Sequence, residues 1–449
     1  MIPVAAVELA RLLGGDLVGS AGDINGFALD SREAGPGIAF LAIRGAHVDG
    51  HDFVAQALKS GAALTVAERP VNEPYIEVRN LVIALAQMAA SYRSSFTGPV
   101  VGVTGSAGKT TAKEFVAAAL AGLGPVLKTE ANRNTEYTVP LLWAELTPEH
   151  RSAVVEMGMR GFGQIAHLAR ISAPDVAIVT NVGWAHIDLV GSRDGIARAK
   201  GELLQSLSAS GQALLWAEDD YLALLRELAP GRALTFGFEA GADSRITEYE
   251  ALTWGQAEVS GVTLNQPWHA LLAAAGRHVA IDAAASVLAA SVLGVSAQEA
   301  ADRIADAKLP PMRMETRQVA LGTVLLDAYN ASPPSVIAAL QTLMDVPTNG
   351  RHLAVLGEMK ELGAFSEEAH RAVGRAVAEL GLDEVLFFGG PTRVAWEEAI
   401  RAGAAARFTD RIEDATGLIA GLKEGDVVLV KGSRGVALER ALEPLEGVK

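Results

Sequence analysis

The chain has 449 residues, half of them hydrophobic, with 46 glycines and no cysteine. At roughly 150 residues per domain this is length for about three domains, and the mixture suits an α/β enzyme rather than a fibrous, disordered or disulfide-built chain. Acidic residues outnumber basic ones 53 to 38, a formal net charge of −15, and no Lys/Arg run offsets the excess, which argues against a nucleic-acid partner.

The N-terminus, "MIPVAAVELARLLGG", has no basic leader, and Glu8 and Arg11 interrupt its apolar residues, so it reads as a short amphipathic helix rather than a signal peptide. No uncharged apolar run reaches the ~18 residues of a membrane span. Up to about residue 80, short strand-like runs such as "IAFLAI" (38–43) mix with Gly-rich turns, and "LVIALAQMAASYRSSF" then predicts a helix. After Gly98-Pro99 the pattern alternates to about residue 310. Strand Val100 to Val103 is followed by a helix from Thr110 to about Leu123, strand Ala153 to Glu156, a helix near Gln164 to Arg170 and strand Val176 to Thr180. Such alternation predicts a parallel sheet covered by helices. "AKLPPMRMETR" forms a Pro-rich joint. Beyond it "TVLLDAYN", "HLAVLGEM", "EVLFFGG" and "DVVLVKGSRG" are apolar runs ending in polar or Gly-rich residues, a second, smaller α/β domain whose strand ends face a ligand crevice.

The stretch "VVGVTGSAGKTTAKEF" carries the clearest chemistry. A Walker A loop reads G-x-x-x-x-G-K-[ST], and here the leading glycine is missing, since Val103 stands in its place. Yet strand, Gly turn and helix follow in the required order, so backbone N–H groups and the helix N-terminus converge on an anion. Lys109 would reach the β- and γ-phosphates, and the Thr110 hydroxyl a Mg²⁺ ion. Glu156, ending an apolar strand, is a candidate metal acid, though alone it reads equally as a strand-end charge. His186, in the loop after Thr180-Asn181, can bind a divalent metal or donate to a phosphoryl oxygen; a lone histidine is more often structural. Lys200 in "IARAKGELL" reads from spacing as an ordinary helical lysine.

Together these residues resemble the Mur ligase family, ATP-dependent amide-forming enzymes of peptidoglycan precursor synthesis. Its shortened loop, T-G-x-x-G-K-[ST]-[ST], matches Thr104, Gly105, Ser106, Ala107, Gly108, Lys109, Thr110 and Thr111 throughout. "DSREAGPGIAFLAIRGAHVDGHDFV", the "EMGMRGFGQ…IARAKGEL" stretch, "LLDAYNASPPSV", "LGEMKELG" with a following His370, and "VLVKGSRGVALE" continue the family pattern in order, closest to the member that adds D-alanyl-D-alanine. The resemblance implies a three-domain architecture: an N-terminal UDP-sugar-binding domain (1–80), a central P-loop parallel-sheet ATPase domain (81–310) and a C-terminal Rossmann-like acceptor-binding domain (311–449). It implies ATP-dependent ligation of D-alanyl-D-alanine to UDP-N-acetylmuramoyl-tripeptide through an acyl phosphate, by a cytoplasmic monomer with no nucleic-acid partner.

The resemblance also assigns residues. Lys109 takes the γ-phosphate; Thr110 and Glu156 hold Mg²⁺; His186 binds a second metal; Lys200 carries a CO₂-derived carbamate. Asp327 contacts the nucleotide ribose, and Arg313 approaches the phosphates. Ser31, Arg32, Asp49 and His51 lie near the uridine diphosphate, while Asn132 and Asn134 contact substrate and phosphate. Lys431, Ser433 and Arg434, in "KGSRG", contact phosphate and acceptor dipeptide. Val279 and Asp282 stand where the family has asparagines, leaving His278 and Asp282 for adenine; Met312 replaces a glycine and Glu358 an aspartate. Three rivals follow. A diamino-acid-adding ligase would carry D-N-P-R, which is absent; a folylpolyglutamate synthase would lack the "DSR…DGHDF" segment; a non-catalytic Mur-like partner would not need the retained lysines and metal residues.

Overall fold

The computed structural model describes residues 1–45, 48–319 and 321–445. These form two compact units, one comprising Met1–Val100, Gly124–Met157 and Ala166–Ala173, the other Val101–Leu123, Gly158–Ile165 and the chain from Pro174 onward.

In the first unit the expected N-terminal helix spans Ala6–Leu13. Ala6, Leu9, Ala10 and Leu13 recur at helical spacing and are buried, while Glu8 and Arg11 pair on the wet face. Gly14, at φ 64°, ends it in the left-handed conformation that glycine adopts without strain. A five-stranded sheet runs in the order Asp16–Val18, Tyr75–Glu77, Leu64–Ala67, Ile38–Leu41, Gly26–Ala28, parallel except for its first pair. Leu41, Leu64, Val66 and Ile76 pack from this sheet against Leu9, Leu13, Leu85 and Met88 of the helices. Asn80 caps helix Leu81–Ser94 by accepting from the Ile83 N–H at 2.9 Å. Near its far end Arg93 donates to the Phe96, Ser172 and Ala173 carbonyls and lies over the rings of Phe96 and Trp143. The parallel strands Val126–Lys128 and Ser152–Glu156 and the short antiparallel pair Val4–Ala5 and Asp23–Ile24 add further extended structure to the unit.

In the second unit, seven strands run Gln266–Leu272, Gln256–Thr263, Ser244–Thr253, Leu234–Gly237, Gln212–Trp216, Val176–Val179, Val100–Thr104. The last five are parallel, as the alternating pattern predicts. The first three are antiparallel neighbours, so the alternation does not continue unbroken to residue 310. Here the sequence repeats with period two ("QAEVSGVT"), and burial alternates residue by residue along Gln256–Thr263. A six-stranded sheet follows in the order Glu315–Val319, Gly322–Asp327, Val427–Lys431, His352–Gly357, Glu384–Phe388, Ala406–Thr409. The four apolar runs form its parallel centre. Two further strands flank them: Ala406–Thr409, and the antiparallel Glu315–Val319, which begins within the stretch read as a joint. Both are half-exposed edges, too polar to stand out as apolar runs. None of the described helices is long and apolar enough to cross a membrane.

Asp426 sets the start of the strand that delivers Lys431. Its buried carboxylate accepts from the Arg351 guanidinium at 2.7 Å and from the N–H groups of Arg351 and Lys423 at 2.9 and 3.0 Å. Burial alone would raise this carboxyl, but those donors outweigh it and hold it at about 2. The stabilisation is therefore full above the unfolded value, 3.8, and is lost as pH falls through about 2. Asp426→Asn should cost about 1–3 kcal/mol in urea unfolding at pH 7. The gap from the unsubstituted chain should close as pH approaches 2; a gap that persists there would contradict this account.

Candidate functional site

Strand Val100–Thr104 and helix Lys109–Leu120 bracket a turn that bends back through Gly105 and Gly108. Gly108 has φ 78°, and a Cβ there would lie 2.6 and 2.8 Å from the two carboxyl oxygens of Asp282. The turn is held from the adjacent strand end. Asn181 accepts the Ala107 N–H on its side-chain oxygen at 3.0 Å and donates its amide to the Ala107 carbonyl at 3.1 Å. Thr180 donates to the same carbonyl at 2.5 Å, the Asn181 carbonyl accepts from Ser106 N–H, and Gly183 N–H donates to Ser106 Oγ. Thr180 and Asn181 were not among the predicted site residues; their function is visible only once the two strands lie side by side. Lys109 Nζ donates to the Gly105 carbonyl at 2.8 Å, bridging the mouth of the turn. The helix dipole and the first-turn N–H groups, which lack intrahelical acceptors, make this an anion cradle.

Around the cradle stand charged groups from distant segments of the same unit. Arg313 donates to Thr110 Oγ1 at 2.9 Å, and its guanidinium lies 4.1 Å from the centre of the Tyr329 ring. Met312 and Met314 flank it at φ 58° and 52°, which accounts physically for the glycine usual at position 312. Asp282 is buried, and burial pushes its carboxyl well above the ordinary range, with Arg313 partly opposing. Lys200 is 1% exposed; burial, reinforced by the Lys109 charge, drives its ammonium well below the usual lysine range. A lysine so placed is readily a neutral amine. His186, at φ 65°, points Nδ1 to within 2.7 Å of Glu361 Oε2.

Asp327 and Lys431 end neighbouring strands in register. The buried Lys431 ammonium donates to Asp327 Oδ2 at 2.5 Å and to the Asn330 carbonyl at 3.0 Å, so it is engaged within its own sheet. Ser433 Oγ accepts from the Lys360 N–H, and Arg434 pairs with Glu439. Burial lowers the His278 imidazole to about 4, and its Nδ1 has no hydrogen-bond partner. Beside it opens a cavity of about 860 Å³ walled by Trp184, Trp216, Phe238, Ile281 and Pro334.

The first unit holds the other predicted residues. Glu156, 2% exposed at its strand end, accepts from Asn134 Nδ2 at 2.8 Å through Oε1, while Oε2 is buried without a partner. Asn132 is exposed. Ser31 is buried, and Arg32 is exposed and clasps Asp30. Asp49 and His51 form a fixed pair: His51 Nδ1 meets Asp49 at 2.6 Å, and Nε2 accepts from the Glu68 N–H at 3.1 Å. Arg69 adds a contact to Asp49 at 3.2 Å.

Among the described residues no three His, Asp or Glu side chains converge on one point as a closed metal site. Mg²⁺ seldom needs one, because phosphate oxygens and water supply much of its octahedron. The unpartnered Glu156 Oε2 and the Thr110 hydroxyl are donors of the kind it takes.

Gly108→Ala tests the cradle directly. The added methyl meets Asp282 and forces a left-handed alanine, so ADP affinity by calorimetry should fall more than about tenfold, or ~1.4 kcal/mol. Unchanged affinity would contradict the placement of phosphate at this turn.

Family models describe the chain in three stretches: the Mur ligase middle domain matches residues 103–290, the Mur ligase glutamate ligase domain 312–434, and the Mur ligase family catalytic domain 23–122. A UDP-N-acetylmuramoyl-tripeptide--D-alanyl-D-alanine ligase of Synechocystis is 39% identical over 94% of this chain and 92% of its own length. One from Escherichia coli K12 is 33% identical over 99% of both. Among solved structures, MurF from Acinetobacter baumannii superposes with a TM-score of 0.90 at 32% identity, covering 99% of this chain and 98% of that one. MurF from Thermotoga maritima, solved in complex with ADP, gives 0.81 at 32% identity over 94% and 96%. The three successive model matches and the shortened phosphate loop thus have one explanation: the chain belongs to the Mur ligase family.

Proposed function

We propose that this chain is the ATP-dependent ligase that joins D-alanyl-D-alanine to UDP-N-acetylmuramoyl-tripeptide, giving the UDP-N-acetylmuramoyl-pentapeptide of peptidoglycan synthesis. The observation that carries this reading is the Thr104–Thr111 phosphate turn, set in a chain that aligns almost end to end with UDP-N-acetylmuramoyl-tripeptide--D-alanyl-D-alanine ligases. In this reading, residues 1–80 take the UDP-sugar, 81–310 the ATP and 311–449 the acceptor, and the protein works as a cytoplasmic monomer.

The chemistry follows from charge. A carboxylate oxygen of the tripeptide attacks the γ-phosphorus, the bond to ADP breaks, and an acyl phosphate forms. The neutral amine of the dipeptide then adds to the acyl carbon, the nitrogen loses one proton, and phosphate leaves as hydrogen phosphate as the amide forms. Both early partners are anions, so the cradle N–H groups and Lys109 are needed to let them approach. Arg313, anchored on Thr110, adds a fixed positive charge at the same place. The cavity beside His278, walled in part by Trp184, Trp216, Phe238 and Ile281, is the seat this reading gives to the purine base, while Asp282 lies against the phosphate turn at Gly108 and the Asp327 charge acts on His278.

Two Mg²⁺ ions, for which the family resemblance assigns Thr110, Glu156 and His186 as donors, would supply charge neutralisation at the phosphates. Lys200 suits carbamate formation. Its amine is desolvated and stands beside Lys109, which disfavours the ammonium form, so attack of the neutral amine on CO₂ with loss of one proton would place an anion facing the Lys109 cation.

The deciding experiment is phosphate release by the purified chain with ATP, Mg²⁺ and UDP-N-acetylmuramoyl-tripeptide, with the amine acceptor varied. Turnover should require D-alanyl-D-alanine, and Lys109→Ala should lower it by roughly a hundredfold or more. Turnover only when a diamino acid meets the UDP-dipeptide would replace the assigned specificity, and silence with every acceptor would point to a non-catalytic partner.

A further inference from the structure

His370 is buried in helix Ser366–Leu380, away from the phosphate turn, and both of its ring nitrogens are engaged. Nδ1 lies 2.7 Å from the Ser366 carbonyl, a group that can only accept, so the imidazole proton sits on Nδ1. Nε2 keeps its lone pair and accepts the Met359 N–H at 3.1 Å. Burial favours this neutral form, lowering the imidazole from its ordinary value of 6.5 against the opposing pull of the Ser366 carbonyl and the Glu358 charge.

Met359 is the middle of three residues that grip Ser433. The Glu358 carbonyl accepts the Ser433 N–H at 3.0 Å, and the Lys360 N–H donates to Ser433 Oγ at 2.9 Å. Glu358 and Ser433 follow the C-terminal ends of strands His352–Gly357 and Val427–Lys431, which pair in parallel, and this is the edge at which such a sheet gathers ligand groups. The chains approach closely there: a Cβ on Gly432 would lie 3.3 Å from Gly357 Cα. The two loops are thus joined to each other, and His370 ties the first of them to the helix.

We infer that His370 is a positioning residue for the acceptor dipeptide: by fixing Met359 it sets the Glu358–Lys360 backbone that holds Ser433, and with Ser433 the loop from Lys431 to Gly435. The inference rests on the ligase reading, in which that loop meets the acceptor. A binding group is only as well placed as the hydrogen bonds behind it.

The test compares two amide variants by steady-state phosphate release, with ATP, Mg²⁺ and UDP-N-acetylmuramoyl-tripeptide saturating. An Asn amide ends near the place of Nδ1, so it can keep the Ser366 bond but not reach Met359; a Gln amide ends near the place of Nε2 and can accept from Met359. His370→Asn should raise the KM for D-alanyl-D-alanine about tenfold and His370→Gln less than about threefold, with kcat and the KM for ATP unchanged in both. Equal KM values in the two variants, or a fall in kcat with no rise in that KM, would overturn the positioning role. A measurement on the unsubstituted chain covers the case in which a variant fails to fold. With a non-hydrolysable ATP analogue and the UDP-tripeptide present, D-alanyl-D-alanine should slow amide hydrogen exchange in residues 358–362 and 431–435 together. Protection of 431–435 alone would overturn the coupling of the two loops. Phosphate release by the unsubstituted chain that does not need D-alanyl-D-alanine would instead overturn the ligase reading, and with it the acceptor named here.

Discussion

The hydrogen bonds from Thr180 and Asn181 to the backbone of Ala107 are the constraint on which the site depends. A four-residue turn between a strand and a helix has little internal bonding of its own, and here the adjacent parallel strand end supplies it. That strand end can reach Ala107 because Val176–Val179 pairs in register with Val101–Thr104. The same strand launches the loop that bears His186, so phosphate turn and histidine are oriented by one pair of neighbouring strands. This is the physical sense in which a parallel sheet gathers ligand residues at its C-terminal edge.

A second theme is incomplete internal pairing of buried charge. Lys431 and Asp327 satisfy each other, as do Asp426 and Arg351, and these pairs hold strands in place. Lys200 and Asp282 have no such carboxylate or hydrogen-bonded donor among the described contacts, and Glu156 leaves one oxygen bare. Burying polar groups without partners costs free energy, so their persistence marks places where ligands complete the balance.

Much of this was legible in sequence because the signals are local. Strand, glycine turn and helix stand within one short stretch, and each parallel core strand is an apolar run closed by polar or glycine residues. The antiparallel strands 244–272 left only a period-two alternation, weaker than a continuous run, and the edge strands 315–319 and 406–409 left less. Site residues divided the same way. Lys109 and Thr110 announce themselves, whereas Lys200 is indistinguishable from a solvated helical lysine until burial beside Lys109 is seen. Asn181 and Glu361 meet partners 74 and 175 positions away in sequence, Ala107 and His186 (181 − 107 = 74; 361 − 186 = 175), and no local pattern encodes such meetings. Lys431, which resembles a residue that reaches substrate, also binds Asp327 and the Asn330 carbonyl, a pairing that only side-chain geometry shows.

The central claim is that the phosphate turn activates a carboxylate by phosphorylating it. Isotope transfer tests this most directly: UDP-N-acetylmuramoyl-tripeptide carrying heavy oxygen in its terminal carboxyl is turned over with ATP and D-alanyl-D-alanine, and the released phosphate is analysed by mass. Transfer of a labelled oxygen from carboxylate to phosphate in each turnover is the predicted result. Amide formation with no label in the phosphate would contradict the account, since the carboxylate oxygen would then never have been bonded to phosphorus.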